Sequence, residues 1–496
     1  MKALLAHIRA HAWRQPQAIA IGDDLGELCY LELDLAIDRT AAMLEAGRVG
    51  LLLANGCHWA VADLALAARG ALCVPLPEFF TDAQLGHVIR DADLDLIVTD
   101  DPLRAQGLVG GETLPPVQLA GHEVWLFRRA STGGAGAPLR TAKVTYTSGT
   151  TGQPKGVCLA AEAIGATAVG LCQAVGAGPQ DRALSLLPLA TLLENIGGLY
   201  APLYAGARAQ VPALATCGMD GSSGLNGAAL FAALGHYAPT TLILVPQLLK
   251  ALVGGATAGL AGLGSLRFAA VGGAPVSPAL LAQARALGIP AYEGYGLSEA
   301  VSVVCLNLPE ADRPGSAGRP LPHANLSFSS AGEVQVQAPG FLGYLGTTTQ
   351  PPGIWPTGDL GHLDAEGFLH LDGRCKSAFA TAFGRNLAPE WVEGELTSHP
   401  DIAQAAVFGE GRPFNTAVLV PRPATSQAAC ERAVRAVNTR LPDYAQVGAW
   451  VLAAEPFTPG NGLAGPAGTP RREAVHRHYR RQIDRLYPGD PQHVAV

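Results

Sequence analysis

Thr147-Ser148-Gly149-Thr150-Thr151-Gly152-Gln153-Pro154-Lys155-Gly156 places three Gly, four hydroxyl side chains and one Lys within ten residues, directly after the strand-like run 143–146 (KVTY). Glycine frees the backbone so that N–H groups can converge on an anion, hydroxyls donate to phosphate oxygens, and the ammonium adds positive charge. The G-x-x-x-x-G-K-[ST] spacing of a Walker loop is absent. Taken alone, the segment reads either as a phosphate cradle or as an ordinary Ser/Thr/Gly turn.

Working outward, the first hundred residues alternate helical and strand-like patterns. Residues 31–46 (LELDLAIDRTAAMLEA) carry apolar side chains at helical spacing, 49–54 (VGLLLA) read as a buried strand, 58–69 as a helix and 71–75 (ALCVP) as another strand. This alternation predicts an α/β sheet with mostly parallel strands. Residues 110–138 are rich in Gly and poor in periodicity, and are expected to form a loop region. Further strands are expected at 241–245 (TLILV) and 268–271 (FAAV). A strand- and turn-rich stretch begins near Asn307 and includes the alternating run 333–337 (EVQVQ). Residues 254–264 and 460–468 are of low complexity and are expected to be flexible loops.

A chain of 496 residues is too long for one hydrophobic core. Hydrophobic residues at 48% with charged residues at 15% exclude a disordered chain. A net charge of -7 gives no global sign of nucleic-acid binding, and the local cluster Arg471, Arg472, Arg477, Arg480, Arg481, Arg485 reads as a solvated helix. Nine scattered Cys without a C-x-x-C pair argue against a structural metal and suit a reduced, cytoplasmic protein. The apolar stretch 60–76 is interrupted by Asp63 and Arg69, so no membrane span is expected. Neither a G-x-S-x-G hydrolase string nor a G-x-G-x-x-G dinucleotide fingerprint in its proper context is present.

The loop as a whole resembles the phosphate-loop signature TSGTTGxPKG of the adenylate-forming superfamily, which includes acyl-CoA synthetases, adenylation domains and luciferases, and every specified position matches. The resemblance continues in order along the chain. Leu187-Pro188-Leu189-Ala190 with Glu194 is similar to a segment of long-chain acyl-CoA synthetases, with Thr191 where these usually carry His. Gly272-Gly273-Ala274-Pro275 resembles the glycine-rich turn beside the adenine and acyl pocket. Tyr292-Glu293-Gly294-Tyr295-Gly296-Leu297-Ser298-Glu299 resembles the YGxTE element with Ser298 replacing Thr. Thr357-Gly358-Asp359-Leu360 is similar to the ribose-binding TGD, Gly373-Arg374-Cys375-Lys376 to the hinge, and Gly384-Arg385-Asn386 with Pro389-Glu390 to the loop that follows.

The resemblance implies a large N-terminal domain of α/β sheets with a β-rich subdomain (residues 1–371), and a small mobile α+β lid domain (372–496) hinged at Lys376. It implies activation of a hydrophobic carboxylic acid, a fatty acid first among them, by ATP with Mg²⁺, giving acyl-AMP and pyrophosphate. Acyl transfer to the thiol of CoA or of a carrier protein's phosphopantetheine would follow. Thr147, Ser148, Gly149, Thr150, Thr151, Gly152 and Lys155 would surround the phosphates, and Gly273, Ala274, Pro275, Glu293, Gly294 and Gly296 the nucleotide. Tyr295 would pack on adenine, Ser298 would touch the α-phosphate, and Glu299 would hold the metal. Asp359 would accept from the ribose hydroxyls and Arg374 would support them, while Lys376 would act at the hinge. The acid's pocket is expected around 191–198, 245–249, 272–275 and 301–305.

One position departs from the pattern. The segment Asn461-Gly462-Leu463-Ala464-Gly465-Pro466-Ala467-Gly468-Thr469-Pro470-Arg471-Arg472 resembles the lid loop NGLLTxTGKxxR, with Thr469 where the family carries its catalytic Lys. The chain has five Lys, namely Lys2, Lys143, Lys155, Lys250 and Lys376, so none lies beyond the hinge. Arg471 and Arg472 are the adjacent cations able to take its place. The departure leaves two other readings open: an acyl-transfer enzyme fed with preformed acyl-adenylate or using an amine acceptor, and a catalytically impaired nucleotide- or acyl-binding protein.

Overall fold

The computed structural model describes residues 1–109, 111–130, 136–147, 154–220, 224–274, 276–347, 351, 353–375, 379–380, 386–387, 389–410, 412, 414–441, 445–465 and 468–487. Two large sheets form the N-terminal part. In the nine-stranded sheet, Ala291–Leu297, Phe268–Val271, Thr241–Leu244, Arg182–Leu184, Arg208–Gln210 and Ile19–Gly22 run parallel as neighbours, with antiparallel strands at both edges. In the eight-stranded sheet, Thr141–Thr147, Leu72–Pro75, Arg48–Leu52 and Leu96–Thr99 form the parallel centre. The sequence periodicities at 31–46, 49–54, 58–69 and 71–75 become the helix Tyr30–Met43, the strand Arg48–Leu52, the helix Cys57–Arg69 and the strand Leu72–Pro75.

The region 110–138 corrects the sequence reading. Within it Glu112–Leu119 and His122–Arg128 form an antiparallel hairpin at the edge of the eight-stranded sheet. Pro115 and Pro116 disguised it. They fall where the register shifts between Leu114 and Val117 on an edge strand, the position in which a missing N–H is tolerated. Ala120 and Gly121, both at positive φ, close the two-residue turn. The expected loop at 254–264 is also corrected at its start, because the helix Pro246–Thr257 runs through Gly254 and Gly255. Gly255 packs directly on Phe231, whose ring a Cβ there would strike.

The main core lies between the two large sheets and is filled by helices including Lys2–Arg14, Cys57–Arg69 and Ala161–Ala174. At its centre sits a polar knot. Lys143 Nζ donates to Asp63 Oδ1 (2.7 Å), Asn195 Oδ1 (2.5 Å) and Tyr200 OH (2.9 Å), and Tyr200 OH donates to Asp63 Oδ2. Three acceptors, one of them an opposed carboxylate, satisfy the ammonium, which offsets its desolvation.

Two smaller units follow. A four-stranded antiparallel sheet is built from Leu326–Phe328, Glu333–Gln337, Ile354–Leu363 and Leu369–Arg374. The C-terminal unit has its own core around the sheet Ile402–Phe408, Asn415–Pro421 and Val447–Leu452, covered by the helices Pro389–Ser398, Gln427–Asn438 and Arg472–Arg485. Among the described residues no helix is long and apolar enough to cross a membrane.

Candidate active site

Asp359 is the centre of the candidate site. It lies on Ile354–Leu363 and pairs in register with Arg374 on the neighbouring antiparallel strand. Arg374 Nε stands 2.9 Å from Asp359 Oδ1, and Tyr295 OH donates to Oδ2 at 2.6 Å. The bend before Asp359 is held by its neighbours. Thr357 Oγ1 donates to Val334 O (2.8 Å) and accepts from Asp359 N (3.1 Å), while Gly358 N donates to Glu333 Oε1 (2.9 Å). Gly358 has φ +78, a left-handed conformation that glycine adopts without steric cost. Burial and the Asp359 carboxylate both push the Tyr295 phenol up, so it stays a donor.

Tyr295 lies on Ala291–Leu297, the strand that ends the parallel run of the nine-stranded sheet. The strand then reverses through a tight turn, with Leu297 paired to Ser302. Ser298 and Glu299 occupy this turn. Val301 (φ +60) and Ser302 (φ +83) are left-handed non-glycine residues, a strained backbone of the kind that clusters at functional sites. Gly296 is obligatory because a Cβ would collide with Ser302 O. Burial pushes the Glu293 carboxyl up to about 8, partly offset by the Val276 N–H at 3.4 Å.

Glu299 accepts from Tyr344 OH at 2.7 Å. Tyr344 ends Phe341–Tyr344, which pairs with Lys155–Ala160, and Lys155 Nζ stands 5.9 Å from the Tyr344 ring centre. Thr147 and Lys155 pair at the loop end of the hairpin of Thr141–Thr147 and Lys155–Ala160. Tyr344 thus joins the glycine-rich loop's base to Glu299, a partner that the sequence reading missed and that no local spacing signals. Ser148, Gly149, Thr150, Thr151 and Gly152, together with Pro275 and Lys376, lie outside the described residues. Gly273 (φ +78) and Ala274 form the turn after Phe268–Val271, and a Cβ on the adjacent Gly272 would lie 3.3 Å from Gly294 O. The two glycine-bearing segments therefore touch through bare backbone.

Behind Gly294 and Gly296 lies an apolar cavity. Its walls include Leu306 and Val303, the cross-strand partners of those glycines, and Leu193, Gly197, Ile243 and Phe268. The π-helical segment Asn195–Tyr200 supplies Gly197, where a Cβ would meet Ile243 Cδ1 at 2.5 Å. Of the expected pocket segments, 191–198 and 301–305 contribute. Neither 245–249, whose Leu248 and Leu249 face a different core, nor the described residues 272–274 line the cavity. The strands Thr241–Leu244 and Phe268–Val271 supply wall instead.

The C-terminal unit packs beside this region. Lys250 Nζ donates to Thr397 O, and Gly468 of the Asn461–Arg472 segment approaches Gln247 Nε2 to within 3.9 Å of its would-be Cβ. Thr469 is exposed. Arg472, one of the two cations considered as substitutes for lysine, is instead bound to Glu390 (3.0 Å) and Glu393 (2.8 Å). Arg471 is exposed.

Two family descriptions cover most of the chain: "AMP-binding enzyme" matches residues 8–345 and "AMP-binding enzyme C-terminal domain" matches residues 377–490. The chain belongs to the AMP-binding enzyme family. Among curated members, it is 28% identical to the long-chain-fatty-acid–CoA ligase FadD15 of Mycobacterium bovis, covering 81% of this chain and 78% of that protein. It is also 28% identical to the indoleacetate–CoA ligase of Aromatoleum aromaticum, covering 81% and 84%. In fold this AMP-binding enzyme is similar to the anthranilate CoA ligase AuaEII in complex with anthranoyl-AMP, with a TM-score of 0.78 at 18% identity and 96% of each chain covered.

Proposed function

We propose that this enzyme activates a hydrophobic aliphatic or aryl carboxylic acid with ATP and passes the acyl group to a thiol, CoA first among the candidates. A carboxylate oxygen of the acid bonds to the α-phosphorus and pyrophosphate leaves; the thiol sulfur then bonds to the acyl carbon and AMP leaves. The observation that carries this reading is the Tyr295–Asp359–Arg374 cluster, where the last parallel strand of the nine-stranded sheet meets the four-stranded antiparallel sheet, beside backbone bared by Gly272 and Gly294. An ionised carboxylate with free acceptor capacity suits two ribose hydroxyls. Glu299, a hard oxygen donor steadied by Tyr344, would hold Mg²⁺, which neutralises the triphosphate. Thr147, Lys155 and the loop between them would receive the phosphates, and Ser298 the α-phosphate. The cavity behind Gly294 and Gly296 would receive the acyl group.

The acid is not restricted to fatty chains in this reading. The similar proteins are named for long-chain fatty acids and for indoleacetate, and an apolar cavity serves either. Pyrophosphate release with ATP, Mg²⁺ and a panel of fatty and aryl acids tests the proposal. Release with one acid class is expected, and no release with any acid would overturn it.

A second reading rests on Thr469 and on the engagement of Arg472 by Glu390 and Glu393. With no lysine beyond the hinge, the chain would take preformed acyl-AMP and transfer its acyl group to a thiol or an amine. Product from synthetic acyl-AMP, without pyrophosphate release from ATP, would favour it.

A further inference from the structure

Away from the nucleotide cluster, three chain segments bring Asp23, His58 and His122 together. Asp23 follows the strand Ile19–Gly22, His58 opens the helix Cys57–Arg69, and His122 begins the strand His122–Arg128. One nitrogen or oxygen from each lies within 4.8 Å of the others. We propose that these residues form a site for a divalent transition-metal ion of the zinc class.

Three features point to a ligand. Asp100 Oδ2, itself held by Ala54 N at 3.0 Å, lies 3.1 Å from His58 Nε2. A carboxylate only accepts, so Nε2 carries the proton and Nδ1 presents its lone pair. That Nδ1 is buried in a residue of 1% exposure and has no hydrogen-bond partner among the described residues. A carboxylate fixing the far nitrogen of an imidazole whose near nitrogen is bare is the arrangement that orients histidine toward a metal. Gly56 also leaves the intervening space open: a Cβ there would strike His58 Nδ1 and lie 3.4 Å from Asp23 Oδ2.

The remaining ligand is poised at the rim. His122 Nε2 is 2.7 Å from Asp23 Oδ2, its ring stacks on His58 with centres 3.9 Å apart, and its side chain is 20% exposed. Tetrahedral Zn²⁺ with bonds of about 2.0–2.2 Å needs donors about 3.3 Å apart, and rotation of the open-edged His122 brings its nitrogen in. On binding through Nε2 the His122 ring would carry its proton on Nδ1, and water would complete the shell. Two imidazoles with one carboxylate favour a borderline ion over Mg²⁺ or Ca²⁺. The ion would pin the Asp23 turn of the nine-stranded sheet to the helix Cys57–Arg69 and to the strand His122–Arg128 of the eight-stranded sheet. It would also fix Gly56 beside Asn55, whose side chain holds Leu187 O (2.9 Å) and Leu189 N (2.8 Å) on the segment leading to the cavity.

The test uses the untagged full chain, stripped with chelator and dialysed without nucleotide. Titration with Co²⁺ and Zn²⁺ is followed by absorption and calorimetry, in parallel with His122→Ala and the surface control His478→Ala. The expected result is one equivalent bound by the native chain, with visible Co²⁺ bands. His122→Ala should bind at least ten-fold more weakly and His478→Ala should bind as the native chain does. Saturating Zn²⁺ should raise the native melting temperature by a few degrees and leave that of His122→Ala unchanged. Absence of stoichiometric binding to the native chain, or Co²⁺ bands that persist in a folded His122→Ala, overturns the proposal.

Discussion

Asp359 and Arg374 stand opposite each other on adjacent antiparallel strands, joined by an ion pair of 2.9 Å, while the second carboxylate oxygen takes the Tyr295 hydroxyl. Strand register alone sets the pair, and the tyrosine arrives from another sheet. Replacing Asp359 by Asn keeps the size and removes the charge. If the carboxylate accepts from ribose, ATP affinity measured by calorimetry should fall roughly ten- to hundred-fold, the range for hydrogen bonds to charged groups. Tyr295→Phe should cost less, since it removes a donor that only orients the carboxylate. Unchanged ATP affinity in Asp359→Asn would remove this residue from the nucleotide site.

Thr469 carries no charge on a loop that lies near Gln247. Introducing a cation with Thr469→Lys should raise ATP-dependent pyrophosphate release on the order of 10²–10³-fold, the scale of one preorganised electrostatic donor. Thiol transfer from synthetic acyl-AMP should change little in the same variant. A variant no faster than the native enzyme would mean that another group already supplies the charge.

Glu194 is fully buried, both its carboxyl oxygens lack partners among the described residues, and burial pushes it up to about 8. Its unfolded value is near 4.5, so the folded chain keeps a proton that the unfolded chain loses between about pH 4.5 and 8. Stability from the neutral form is therefore fully present below pH 4.5 and is lost as pH rises toward 8. In urea denaturation, Glu194→Gln should match the native chain near pH 4.5 and exceed it by a few kcal/mol near pH 8. A difference that does not vary with pH would contradict a buried neutral carboxyl.

Lys143 and Asp63 form a buried ion pair with Asn195 and Tyr200 completing its shell. Lys143→Met would strand the Asp63 charge and should destabilise the protein by about 3–5 kcal/mol in denaturant midpoint analysis. Adding Asp63→Asn removes the stranded charge and should recover much of the loss. Equal instability of the single and double variants would argue that packing, rather than charge, dominates there.

Legibility varied with the range of the interaction. The helix at 31–46 and the strands at 49–54 and 71–75 were readable because side-chain periodicity is a local property. The hairpin of Glu112–Leu119 and His122–Arg128 was not, because Pro115 and Pro116 argue against a strand until its edge position is known. Tyr344 shows the same limit at the candidate site, since its bond to Glu299 spans 45 positions.

By itself the sequence determined the AMP-binding family, the order of its nucleotide-associated segments and the substitution of the lid lysine by Thr469, because each is written in contiguous residues whose chemistry is local. Only the tertiary structure decided that Tyr295 and Arg374 share Asp359, that Arg472 is engaged by Glu390 and Glu393, and that Asp23, His58 and His122 converge. These relationships depend on how strands register and sheets pack, which brings together side chains whose separation along the chain carries no signal of their contact.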